Sequence, residues 1–371
     1  MRRLPLLLAL LMMLLLPAAA ARAATAQEAI AMLNAQREAN GIPGGITENA
    51  EWSQGCANHL EYLRRNPDEW NTGPHDEVAG HDGYTDSGKS AAQSSVLSPT
   101  AGFSQANGNP WEYAPIHLMQ LLAPALSVTG YDDTPGGCMS TFRGYGRPGP
   151  DPPVVYTYPG DGASIYAAMT AFESPFTPGE HVGIPAGTET GPYLYVLPHG
   201  AGDTHGRLTA ASLTGPDGAV EVRTVDNKTN TDKGNLGQFL PSGGMVIPVK
   251  PLKTGSSYTA TASFTTDGGA SLDHSWTFKT LGQAPTPPPD GGGGGGAGGD
   301  SGTGGDGGSP ATDTKAAACK KAKRSLKSAR AALRKAKARY KRHHSVARRR
   351  AVTRAKKRVR SATRRVHSRC G

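Results

Sequence analysis

The feature that most constrains this chain is the stretch 282–312, rich first in Pro and then in Gly, as in Pro285 to Gly296. It has almost no apolar side chain to bury, so it cannot enter a core. Its Pro part is stiff and its Gly part flexible, as in a linker. It excludes one compact domain across all 371 residues. Charge divides at the same place. From Asp313 to Gly371 the chain carries 24 Lys and Arg against one acid, whereas residues 24–312 carry 13 against 29. The net charge of +10 therefore conceals an acidic body and a strongly basic tail. Beyond the N-terminal segment, no apolar run is long enough to span a bilayer, so an integral membrane protein is not expected after that segment is removed.

Met1 to Ala23 has the pattern of a secretory signal. Arg2 and Arg3 precede the apolar run Leu4 to Leu16, and Ala21-Arg22-Ala23 fits the small-x-small cleavage rule. Ala24-Thr25-Ala26 fits it too. A cut after Ala23 is preferred because it keeps Thr25, which with Glu28 makes a capping box for the first helix. Export permits disulfides. The four cysteines allow three connectivities, and the layout favours pairing Cys56 with Cys138 in the body and Cys319 with Cys370 in the tail. Their spacing is too wide for a metal cluster.

Residues 25–158 mix helical periodicity with short strands. The first helix holds Ile30 and Leu33 and stops at Gly41. The second places Trp52, Cys56, His59, Leu60 and Leu63 on one face and ends before Pro67. Ala91 to Leu97 reads as a short helix, and Pro115 opens another that runs to Pro124. Cys138 to Tyr145 and Val154 to Tyr158 read as strands. In residues 159–281 the period changes: Tyr193 to Leu197 is a continuous β run, while Tyr258, Ala260, Ala262 and Phe264 alternate, as do Trp276 and Phe278 across the Asp267-Gly268-Gly269 turn. Short strands with Gly and Pro turns indicate a β-sandwich. In residues 313–371, Cys319, Ala322, Leu326, Ala329, Leu333, Ala336 and Tyr340 recur at spacings of a coiled-coil seam, and Val352, Ala355, Val359, Ala362 and Val366 repeat it. Folding back near Lys341 to Ser345 makes a basic helical hairpin closed by Cys319 and Cys370.

The candidate chemistry lies in the first region. His75-Asp76-Glu77 and His81 occupy a loop, and His117 begins the helix after Trp111; imidazole with carboxylate suits proton transfer or metal binding. His59, one turn from Cys56, is expected to pack or hydrogen-bond on its helix. There is no His-Glu-x-x-His, no Gly-x-Ser-x-Gly and no P-loop. His75-x-Glu77 lacks the Pro-Cys-x-x-Cys of zinc deaminases.

An ordered set of motifs adds to this reading: Leu33-Asn34-x-x-Arg37-x-x-x-Gly41, Cys56-Ala57-Asn58-His59, His75-x-Glu77, Gly83-Tyr84-Thr85, Trp111-x-x-Ala114-Pro115-x-His117, Leu121-Leu122-x-Pro124 and Gly130-Tyr131. In this order residues 28–158 resemble a bacterial member of the CAP superfamily, that of cysteine-rich secretory proteins, antigen 5 and pathogenesis-related proteins. The resemblance implies an α+β fold, a CAP-type α-β-α sandwich with a central cleft. The cleft candidates it implies are His75, Glu77, Gln93, Trp111 and His117. It further implies a divalent cation such as zinc at His75, Glu77 and His117. Two departures stand out: Ala92-Gln93-Ser94 replaces the family's Gly-Glu-Asn, so an amide stands where a carboxylate would, and Glu112 directly follows Trp111. The Leu252-x-x-Gly255-x-x-Tyr258 and Trp276-x-Phe278 patterns of residues 159–281 resemble the Ig-like sandwich modules that follow such domains in bacterial exported proteins.

The expected function is a secreted, non-catalytic protein that binds an extracellular or cell-envelope ligand. The tail, with Lys335, Lys337, Arg348, Arg349, Arg350, Lys356, Lys357 and Arg358 as contacts, is expected to attach to polyanions of the wall or to anionic lipid by counterion release. Sequence-specific nucleic-acid binding is not expected, since Tyr340 is the tail's one base-stacking side chain. The alternative is a metal-assisted extracellular hydrolase using His75, Glu77 and His117.

Overall fold

The first helix forms where the capping box requires it. In a computed structural model, which describes residues 24–282 except 100, 101, 105–107, 135, 175 and 203, helix α1 (Ala26–Glu38) starts at Thr25. The Thr25 hydroxyl accepts from the Glu28 N–H at 3.2 Å, and the Glu28 carboxylate accepts from the Thr25 N–H at 2.8 Å. The expected signal, the Gly-rich linker and the basic hairpin, with its Cys319–Cys370 pair and its polyanion contacts, lie outside the described residues.

Helix α2 (Ala50–Arg65) is capped by Asn49 and buries Cys56, His59, Leu60 and Leu63, the face the periodicity predicts. Helix α3 (Asp86–Ser94) is capped by Thr85. The helix expected over Ala91 to Leu97 ends at Ser94, and Ser95–Ser98 is strand β1. The reason is tertiary. All four of its residues are buried, and it pairs antiparallel with β3 (Gly137–Ser140), with Leu97 opposite Cys138. Strand β2 (Tyr131–Asp132) completes the sheet in the order β1-β3-β2. The strand expected to continue to Tyr145 stops at Ser140 and turns into a 3-10 segment, Phe142–Gly144. The Cys56–Cys138 disulfide forms as expected, joining α2 to β3 across 82 residues; closing a loop of that length stabilises the fold by about 4–5 kcal/mol in the chain-entropy account.

Helix α4 (Pro115–Leu122) is buried almost all round. Such a helix lies inside a body rather than on it. Its Leu121 joins the core of α1 and the small sheet, with Leu33, Trp111 and Met139. Its Ile116, Leu118, Met119 and Leu122 join a second core made by a sheet farther along the chain.

That sheet belongs to a β-sandwich. Its strands are β4 (Val154–Tyr158), β5 (Ser164–Tyr166), β6 (Leu194–His199), β7 (Gly206–Gly215), β8 (Gly218–Ala219), β9 (Val222–Asp226), β10 (Gly244–Pro248), β11 (Ser257–Thr266) and β12 (Ser271–Leu281). One sheet has the order β9-β10-β6-β4, the other β8-β7-β11-β12-β5. The strand Val154–Tyr158, read from the sequence as the end of the first region, pairs with β6 and is an edge of the sandwich. Strand β11 alternates buried and exposed residues, as a sheet with one wet face should. Strands β6 and β10 are buried at every position. Leu194, Val196 and Val246 face the other sheet with Phe264, Trp276 and Phe278, while Tyr195, Leu197, Met245 and Ile247 face α4. The continuous apolar runs thus serve two cores at once, and the two regions share one of them.

Candidate functional site

Two histidines approach one another where the small-sheet region meets the sandwich. His75 lies in the loop before α3, and His117 lies in the first turn of α4. Their ring centroids are 6.5 Å apart with a 34° tilt.

The N-terminus of α4 positions His117. Ala114 precedes the helix and has no side chain to cap it. The acceptor comes from 56 residues away: Glu173 Oε1 accepts from the Ile116 N–H at 2.7 Å and the His117 N–H at 3.3 Å. The same carboxylate holds the ring, with His117 Nδ1 2.9 Å from Glu173 Oε2. The Glu173 side chain is 1% exposed and that of His117 is 19% exposed. With Nδ1 held by a carboxylate, the orientation of the ring is fixed and Nε2 is the nitrogen that Glu173 does not engage.

His75 is also held through Nδ1, which donates to the Ala92 carbonyl at 2.9 Å. His75 is exposed at the surface. Crowding by surrounding protein atoms lowers its pKa below the ordinary imidazole value, against the raising effect of the carbonyl; the neighbouring His117 adds to the lowering. His75 therefore stands as neutral imidazole at neutral pH. The pair thus sets an Nε2 acceptor on His75 beside an imidazole that Glu173 anchors through Nδ1, a combination suited to hydrogen-bond a polar ligand.

Glu77 does not join them. It is fully buried, with Oε1 2.9 Å from His59 Nδ1 and Oε2 accepting from the Thr85 N–H at 3.0 Å. His59 Nε2 lies 2.7 Å from the Pro74 carbonyl, which only accepts. Since a carbonyl only accepts, His59 Nε2 donates to Pro74, and one proton lies between Nδ1 and Glu77 Oε1, so every one of these groups is satisfied. Gly88 leaves the room for this: a Cβ there would come within 2.4 Å of Glu77 Oε1. His59 thus hydrogen-bonds in the interior, to the 74–77 loop and not on its own helix, and takes Glu77 with it.

The other candidates divide. Gln93 is exposed and donates to Asp76 Oδ1 at 3.3 Å, and Lys89 pairs with Asp76 at 3.2 Å, a polar rim next to His75 in the chain. Trp111 is 1% exposed; its Nε1 donates to the Leu97 carbonyl and its ring packs against Phe103. It is a core residue closed to ligand. Glu112 turns toward Gln36, 3.1 Å away. Among the described residues no group of three His, Cys, Asp or Glu is disposed to hold a metal ion. The set His75, Glu77 and His117 does not converge, and the residues present do not fit a zinc held by three or four protein ligands.

Glu173 is the residue that sequence reasoning missed. It lies in Phe172-Glu173-Ser174, beyond the first region and in no motif. The one available signal was indirect: a helix opened by Ala114-Pro115 has no local cap and must take an acceptor from elsewhere.

No family model matches the chain, and no curated protein matches it.

Proposed function

We propose that this is an exported CAP-type protein that binds a cell-envelope or extracellular ligand without catalysing a reaction on it, and that its basic tail attaches it to a polyanion. The observation that carries the reading is the segregation of charge, 24 Lys and Arg against one acid in residues 313–371 beside an acidic body. Binding driven by counterion release at that density is steep in salt. The polyanion is a wall teichoic acid, an anionic glycan or an acidic lipid headgroup layer. The cations of residues 313–371 are spread along the whole segment without a broad apolar stretch, which favours adsorption over insertion. The Cys56–Cys138 disulfide supports an oxidising compartment. The His75–His117 pair is the place for the polar ligand of the body, with the Gln93–Asp76–Lys89 rim beside it. The hydrolase reading has less support, because Glu77 is engaged with His59 and Thr85 instead of completing a metal or proton-transfer set.

The test is retention on purified cell wall across a salt series, full-length protein beside a form ending at Thr312. Retention of the full-length protein alone, lost as salt rises, is expected. Equal retention of both forms at low salt would refute the attachment role and assign wall recognition to the body.

A further inference from the structure

Two helix ends meet at the histidine pair. His75 is bound in the last turn of α3, where the Ala92 carbonyl accepts from its Nδ1 at 2.9 Å. Carbonyls of a last turn have no partner within their own helix and need one from outside. The Ser94 carbonyl, at the end of the same helix, accepts from the Thr141 N–H at 2.9 Å. His117 is bound in the first turn of α4, through Glu173. The spacing of the two rings is therefore set by how the end of α3 lies against the start of α4.

One side chain of α4 is tied to both of its neighbours. Gln120 lies three residues after His117, on the same side of the helix, and is buried. Its Oε1 accepts from the Thr141 hydroxyl at 3.1 Å, and its Nε2 donates to the Phe239 carbonyl at 2.8 Å. Thr141 is fully buried, and its N–H is the one that holds Ser94. A chain of hydrogen bonds thus runs from Phe239, in the sandwich region, through Gln120 and Thr141 to Ser94, two residues beyond the carbonyl that carries His75. A buried amide costs stability unless both of its ends are bonded. Here both ends are bonded, to groups from two different segments. Apolar contacts alone allow several placements of a helix, whereas a satisfied polar network specifies one.

We propose that Gln120 is a positioning residue of the ligand site: tied to Thr141 on one side and to the Phe239 carbonyl on the other, it holds His117 at its spacing from His75 and makes the sandwich region part of that site. The inference rests on the reading of the histidine pair as the place of a polar ligand. A ligand bonded to both imidazoles depends on their spacing, because a hydrogen bond forms only over a narrow range of distance. A spacing set in advance spares the ligand the cost of ordering two rings. The roles of the two supporting residues differ. Glu173 fixes the orientation of one ring, and Gln120 fixes the distance between the two.

The experiment is NMR of the full-length protein with isotope-labelled histidine. A through-space cross-peak between the His75 and His117 ring protons is expected in the wild type and is expected to be lost in Gln120→Met, which keeps a side chain of similar length and removes both bonds. Leu213→Ala, in the core between the two sheets, controls for lost stability, and its cross-peak is expected to persist. A cross-peak retained in Gln120→Met overturns the positioning role. So does its loss in Leu213→Ala, since the spacing would then follow stability at large. Should Gln120→Met fail to fold, Thr141→Val carries the test: it removes the hydroxyl that Gln120 accepts from, keeps the N–H on Ser94, and is expected to lose the cross-peak as well. A muramidase digest of purified cell wall, added to the same samples, separates this inference from the reading it rests on. Wild-type ring resonances that move with the digest, and move less in Gln120→Met at the same concentration, support both. Wild-type resonances that stay in place overturn the pair as a ligand site. Resonances of Gln120→Met that move as far as those of the wild type overturn the positioning role alone.

Discussion

Among the described residues two histidine–carboxylate pairs are of equal length, His59–Glu77 and His117–Glu173, each 2.9 Å. They differ in where the second ring nitrogen goes. In the first, Nε2 is closed by the Pro74 carbonyl and both side chains are 0% exposed. In the second, only the carboxylate is sealed in, at 1%, and the imidazole reaches the surface beside His75. The same chemistry is structural in one place and available in the other. Burial and the partner of the far nitrogen decide which, and neither is a property of the residue types.

The largest effect is expected at the interior pair. Glu77→Ala leaves His59 without its acceptor and Thr85 without its own, at a fully buried site. The loss is about 3–5 kcal/mol in denaturant unfolding; a loss below about 1 kcal/mol would remove the structural reading of that pair. Glu173→Gln is expected to cost less, about 1–2 kcal/mol, because the amide oxygen still caps the Ile116 N–H while the charge-assisted part is lost. A cost equal to that of Glu77→Ala would erase the distinction between the pairs. The smallest effect is in the titration of His75. Its NMR midpoint is expected below the ordinary imidazole value. Since its folded pKa is depressed, the unfolded chain takes up the proton first, and stability falls as pH drops through about 6.5. His75→Gln should match the wild type near neutral pH and lose less stability on acidification. A midpoint at or above the ordinary value would remove the crowding that sets this site apart.

Much of the frame was legible before the fold. Thr25 and Glu28 announced the first helix, Pro115 the start of α4, and the alternation from Tyr258 to Phe264 a strand with one wet face. Pairing within the body's two cysteines followed from their separation from the tail. What was not legible was direction and partnership. The 75–77 loop places His75 and Glu77 two residues apart, yet one lies at the surface by His117 and the other lies inside by His59. A loop has no fixed period, so spacing says nothing about where its side chains point. Ser95–Ser98 had a helix-compatible pattern and became a strand because Gly137–Ser140 was there to pair with it. The run at Tyr193 to Leu197 marked a strand but not that both of its faces would be covered.

By itself the sequence determined the division of the chain into an acidic body and a basic tail, the positions of the helix starts, the alternation of the outer strands and the presence of imidazole near the start of α4. These depend on composition or on neighbours within a few residues, where propensity, capping and periodicity act. Tertiary structure alone decided that Val154–Tyr158 belongs to the sandwich, that α4 is shared between two cores, and that His117 takes its carboxylate from Glu173, 56 residues away. Each of these contacts exists only after distant segments have been brought together, and many pairings are compatible with the same local pattern. The selection among them is made by burying apolar faces on both sides of one sheet at once, a condition met by the folded chain as a whole and by no stretch of it alone.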